Sequence, residues 1–180
     1  MIRSICVVGL GYVGLPLAVA FDEAGNDVVG FDIDRSKIER LNGGIDPTDD
    51  IGGRRIADST IDFTDDKTAI ERAEYVIIAL PTPVDDLKNP NLEYIESGGE
   101  MVGRNVREGA TVVLESTVYP GATKEILVPA IERTSGLTAG EGFFVGYSPE
   151  RLVPGDDEHG LRNVVKIVSG QNEAVADELE

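Results

Sequence analysis

The chain has no tryptophan, one cysteine, one histidine and two methionines in 180 residues. A lone cysteine excludes an internal disulfide, and one histidine without a second His or Cys beside it gives no support to a metal site. Lysine is scarce too, with only five, and 33 Asp and Glu against 16 Lys and Arg leave a net charge of −17. A surface this acidic lacks the electropositive face that nucleic acid or an anionic membrane needs, so neither is expected as a partner. No apolar run approaches the roughly 18 residues of a membrane span. The longest, residues 75–80, has the length of a buried strand. Met1 leads directly into strand-like residues with no signal-peptide shape, and the expected location is the cytoplasm.

The acidic excess is scattered in short runs such as Asp49-Asp50, Asp65-Asp66 and Asp156-Asp157-Glu158. It reads as a solvated coat suited to a high-salt cytoplasm, where screening removes self-repulsion. His159 adjoins the last run and reads as a solvated loop residue. Cys6, within Ile5-Cys6-Val7-Val8, reads as a small buried apolar side chain and not as a nucleophile.

What the chain does have is an alternation of strand and helix periods. Strands are expected at residues 2–9, 27–33, 60–63, 75–80, 111–115, 143–147 and 164–168. Helices are expected at 13–24, 35–41, 65–72, 91–107, 121–133 and from 173 onward, with residues 45–57 irregular. Alternation of this kind predicts parallel strands joined by crossovers. The expected fold is a single α/β domain over residues 1–180, a Rossmann-type doubly wound, mainly parallel sheet with helices on both faces.

Gly9-Leu10-Gly11-Tyr12-Val13-Gly14 matches G-x-G-x-x-G, follows a strand and opens a helix. Gly9 lets the chain turn, Gly11 lets a pyrophosphate approach, and Gly14 lets the helix lie on the sheet. Backbone N–H groups near Tyr12 and Val13 then face the phosphates at the positive end of the helix dipole. Asp32 ends the next strand about 20 residues on, where a carboxylate can accept both ribose hydroxyls and repel a 2′-phosphate. Asp34 is its rival for that role. The expected cofactor is NAD in preference to NADP.

Five segments in order carry a resemblance: Gly9-Leu10-Gly11-Tyr12-Val13-Gly14-Leu15-Pro16, Phe31-Asp32-Ile33-Asp34, Pro81-Thr82-Pro83, Glu115-Ser116-Thr117-Val118-Tyr119-Pro120-Gly121 and Tyr147-Ser148-Pro149-Glu150-Arg151. They resemble the N-terminal NAD-binding domain of the UDP-glucose/GDP-mannose dehydrogenases. That resemblance implies oxidation of the C6 alcohol of a UDP-sugar to a uronate by two NAD, through a cysteine-bound intermediate. It implies that Tyr12, Val13, Asp32, Lys37, Thr82 and Thr117 contact NAD, together with the glycine turn. It also implies that Thr117 helps position the catalytic water, that Glu150 is the acid/base, and that Arg151 and Leu152 contact the nucleotide sugar.

Pro-Glu-Arg with Glu-Ser-Thr-Val-Tyr-Pro-Gly resembles the branch acting on UDP-N-acetylhexosamines, and Pro154 stands where the UDP-glucose branch carries a further acid. Family members are more than twice as long. Their catalytic cysteine, connecting helix and sugar-binding domain have no counterpart in these residues, so this chain alone is expected to bind NAD without catalysis. Apolar surface around residues 164–180 is expected to await the missing domain, and the full-length protein is expected to be a homo-oligomer. The alternative reading is a stand-alone NAD-binding module.

Overall fold

The computed structural model describes residues 2–84, 86–87, 90–149 and 165–180. Seven strands form one sheet: β1 (Ser4–Val8), β2 (Asp27–Phe31), β3 (Asp62–Thr64), β4 (Tyr75–Ile78), β5 (Thr111–Leu114), β6 (Phe144–Tyr147) and β7 (Ser169–Gly170). Their spatial order is β3-β2-β1-β4-β5-β6-β7, parallel throughout except for the β6–β7 pair. This is the expected mainly parallel, doubly wound sheet.

Parallel strands covered on both faces are apolar at nearly every position, as Tyr75-Val76-Ile77-Ile78 and Thr111-Val112-Val113-Leu114 are. The period of two divides those residues between two cores. Cys6, Val8, Val76, Ile78, Val112 and Leu114 pack with Ile95 and Val102 of α4 (Glu93–Gly103), Ile131 of α5 (Val128–Ser135) and Ile70 of a 3-10 helix (Lys67–Arg72). Ile5, Val7, Tyr75, Ile77 and Val113 pack with Leu15 and Val19 of α1 (Gly14–Glu23), Ile38 and Leu41 of α2 (Arg35–Asn42), and Ile56 of α3 (Gly53–Asp58). Full burial of each such aliphatic side chain contributes about 1.5–3 kcal/mol, so neither face is dispensable.

Local chemistry sets the element ends. α1 stops at Gly25, whose φ of +85° suits glycine, and the Asn26 amide bonds back to the Phe21 carbonyl at 3.0 Å. Asp34 caps α2 by accepting the Ser36 and Lys37 N–H groups at 3.0 and 3.2 Å. A π turn (Thr123–Leu127) precedes α5, within the stretch expected to be one helix.

Two expectations are corrected. Residues 45–57 are not wholly irregular, because α3 starts within them at Gly53 and runs to Asp58. The buried carboxylate of Asp46 accepts the Ile51 and Gly52 N–H groups at 2.7 and 2.9 Å, and Ile56 is buried as the one apolar anchor. Residues 165–168 form no strand. The strand there is β7, and it runs antiparallel because the chain re-enters from the edge where β6 ends, pairing Ser169 with Tyr147 and Gly170 with Gly146. α6 (Glu173–Leu179) follows, capped by Asn172, and Glu178 hydrogen-bonds the Tyr75 hydroxyl. Among the described residues no helix is long and apolar enough to cross a membrane.

Candidate functional site

Strands β2, β1, β4 and β5 are neighbours and end at the same edge, where their loops enclose a cleft of about 670 Å³. The chain leaving β1 enters α1 on one face, and the chain leaving β4 enters α4 on the other. A crevice opens at that divergence, the switch point where open α/β sheets bind ligands.

The glycine turn floors the middle of the cleft. Gly9 has φ +94°, and a Cβ there would stand 2.6 Å from the Ala79 carbonyl oxygen. A Cβ on Gly14 would lie 1.8 Å from the Gly9 carbonyl oxygen. The protein's own packing therefore requires both glycines. Gly11 differs: its φ is not positive, nothing lies within 4 Å of its would-be Cβ, and it lines the cleft. Its missing side chain keeps space open for something other than protein. Beside it α1 starts without a side-chain cap and without an acid in its first turn. Uncapped amides at the positive end of a helix dipole suit a phosphate.

Asp32 stands at the β2 end and is 6% exposed. Its Oδ2 accepts the Leu10 N–H at 2.9 Å and the Lys37 ammonium at 2.5 Å, and its Oδ1 accepts the Asp34 N–H at 2.9 Å. A carboxylate offers about four acceptor positions, so capacity remains toward the cleft. Asp34 is spent on capping α2, and of the two acids only Asp32 lines the cleft. Lys37 also lines it, with its amino group on Asp32.

Thr82 and Thr117 close the other side. The Thr82 hydroxyl donates to the Thr117 carbonyl at 2.7 Å, and the Ser116 hydroxyl donates to the Leu80 carbonyl at 2.8 Å, so the tips of β4 and β5 are cross-tied. Tyr94, Ser97 and Met101 of α4 form a wall that sequence reading did not single out. Their helical spacing is visible in the sequence, but which face meets the cleft is not.

Glu115, just beyond β5, also lines the cleft; its side chain is 4% exposed and accepts a hydrogen bond from Lys166. Lys166 was missed as well. Its only signal is a single cation set between Val165 and Ile167, which both face solvent. Burial pushes the Tyr147 hydroxyl above its usual range, opposed by a hydrogen bond from the Val118 amide and reinforced by the Glu115 charge.

Gly9, Gly11, Tyr12, Val13, Asp32, Lys37, Thr82 and Thr117 thus line one cleft, and Gly14 packs beneath its turn. Glu150, Arg151, Leu152 and His159 lie outside the described residues. The last residues before them, Ser148 and Pro149, are described. Ser148 is buried, with its hydroxyl unpartnered among the described residues. Cys6 lies in the core within β1, where burial pushes its thiol up to about 12. That placement excludes it as a nucleophile toward anything in the cleft.

The donor set fits a dinucleotide: space at Gly11 and bare amides for a pyrophosphate, and a carboxylate for a ribose diol. Comparison with known proteins agrees. The profile of the UDP-glucose/GDP-mannose dehydrogenase family, NAD binding domain, matches residues 3–180. Protein CapL of Staphylococcus aureus is 45% identical over 181 residues, covering 98% of this chain and 42% of the relative. UDP-N-acetyl-D-glucosamine 6-dehydrogenase of Pseudomonas aeruginosa is 43% identical over 175 residues, covering 97% and 41%. Among solved structures, NDP-N-acetyl-D-galactosaminuronic acid dehydrogenase of Methanosarcina mazei superposes with a TM-score of 0.89 at 34% identity, over 99% of this chain and 41% of that one. The chain therefore spans about two fifths of the length of the relatives it matches. With its glycine turn, its Asp32 carboxylate and its strand order all in agreement, the chain belongs to the UDP-glucose/GDP-mannose dehydrogenase family, whose NAD-binding domain it comprises.

Proposed function

We propose that this chain is the cofactor-binding half of an enzyme that oxidises the C6 alcohol of a UDP-sugar, a UDP-N-acetylhexosamine in preference to UDP-glucose, to the uronate. The observation that carries the reading is Gly11, whose open space in the cleft serves no packing need of the protein. Similarity to a UDP-N-acetyl-D-glucosamine 6-dehydrogenase, and Pro154 in place of a further acid, support the acetylated sugars.

In this reading the first-turn amides of α1 hold the pyrophosphate and Asp32 holds the adenosine ribose, with Lys37 beside it. Tyr12, Val13, Thr82 and Thr117 line the path of the dinucleotide. When bound, NAD supplies the hydride acceptor. Thr117 positions water, Glu150 takes or returns the proton, and Arg151 and Leu152 contact the nucleotide sugar. The nucleophilic cysteine that the family resemblance calls for is supplied from outside these 180 residues, since Cys6 is enclosed in the core. Exposed Val165 and Ile167 support a face that meets a further domain.

Gly11→Ala tests the cofactor assignment without disturbing the fold. NAD affinity, measured by titration calorimetry on this chain, should fall tenfold or more while the melting temperature stays unchanged. Undiminished binding would sink the assignment. For the reaction, the full-length protein should release two NADH for each UDP-N-acetylhexosamine consumed and favour it over UDP-glucose.

A further inference from the structure

Asp32 and Glu115 mark the two ends of the cleft. They sit at the tips of β2 and β5, with β1 and β4 between them. Three strand spacings of about 4.8 Å put those tips roughly 14 Å apart. The glycine turn lies between them at the tip of β1. A dinucleotide with its pyrophosphate on that turn and its adenosine ribose on Asp32 therefore extends its second nucleoside toward β4 and β5, and so toward Glu115.

The charge arrangement at that end is unusual for this chain. Glu115 is a buried carboxylate, and a buried charge is tolerated only with a partner. Lys166, 51 residues further on, turns inward and places its ammonium on Glu115 Oε1, while Val165 and Ile167 on either side face solvent. The antiparallel return of β7 makes this possible, since Ser169 pairs with Tyr147 at the carboxyl edge and Lys166 precedes it by three residues. One of only five lysines in the chain is thus committed to a carboxylate that lines the cleft.

On the reading of the cleft as the NAD site, we propose that Glu115 and Lys166 form a charge pair at its nicotinamide end that sets the relative affinity for oxidised and reduced cofactor. The oxidised nicotinamide ring is a cation and the reduced ring is neutral. A nearby carboxylate favours the first over the second, and a nearby ammonium does the reverse. Holding the two charges together keeps either from dominating, which suits a protein that must take up NAD and release NADH repeatedly. Neither side chain reacts; both act as positioning charges.

The test measures Kd for NAD, NADH and ADP-ribose on the wild-type chain and its variants. Glu115→Gln keeps the shape, leaves the ammonium, and should weaken NAD relative to NADH by about tenfold. Lys166→Met should move the NAD-to-NADH ratio in the opposite direction, and Lys166→Arg should leave it at the wild-type value. ADP-ribose, which lacks nicotinamide, should bind every variant within about twofold of wild type. A purely structural role would weaken all three ligands in parallel, and that result overturns the inference. So does a ratio in Glu115→Gln that matches wild type. A wild-type chain that binds neither NAD nor ADP-ribose would instead overturn the reading of the cleft, and the inference with it.

Discussion

The Thr82 hydroxyl donates a 2.7 Å hydrogen bond to the backbone carbonyl of Thr117, 35 residues away, and so joins the tip of β4 to the tip of β5. Both residues line the cleft, and the bond holds its far wall at a fixed width. Thr82→Val keeps the shape and removes the donor. It should cost about 0.5–1.5 kcal/mol of stability and weaken NAD binding severalfold. Calorimetric titration alongside thermal melts would show it. Wild-type affinity in the variant would mean that the tie does not shape the site.

Asp32 and Lys37 share a hydrogen bond at the β2 end, so removal of the acid does more than delete an acceptor. Asp32→Ala leaves an ammonium facing the place where a 2′-phosphate would sit. Wild-type protein should bind NAD more tightly than NADP, and the variant should lose that preference or turn it toward NADP. The ratio of the two Kd values checks this, and a wild type indifferent to the 2′-phosphate would contradict it.

Asp46 organises the segment that sequence reading left irregular. Burial pushes its carboxyl up, but the hydrogen bonds from the Thr48 side chain and amide and from the Gly52 and Ile51 amides outweigh this and hold it below the usual carboxylate range. A carboxyl lowered on folding stabilises the protein above its unfolded value of about 3.9, and that stability is lost as pH falls through the folded value. Asp46→Ala should therefore cost about 1–3 kcal/mol near neutral pH, with a gap from wild type that narrows in acid. Denaturant melts at several pH values would reveal a constant gap if the linkage were absent.

The net charge of −17 predicts a steep response to salt. The melting temperature should rise strongly between dilute buffer and molar potassium chloride as self-repulsion is screened. A flat profile would remove the high-salt interpretation of the acidic coat.

The sequence by itself determined what rests on neighbours along the chain. A run such as residues 75–78 is a buried parallel strand because it is apolar at every position. The turn at residues 9–14 is legible because glycine spacing is a local steric requirement, and Asp32 follows because one helix and one strand set its distance. The tertiary structure decided what rests on contacts between distant residues. It assigned Asp34 to a helix cap and Asp32 to the cleft, formed α3 beside the Asp46 carboxylate, and made β7 an antiparallel return along β6. Lys166 shows the difference most plainly. In the sequence it is one cation beside two apolar residues, and only the tertiary fold brings it onto Glu115, 51 positions earlier in the chain, because an ion pair depends on distance in space and carries no periodic signature along the chain.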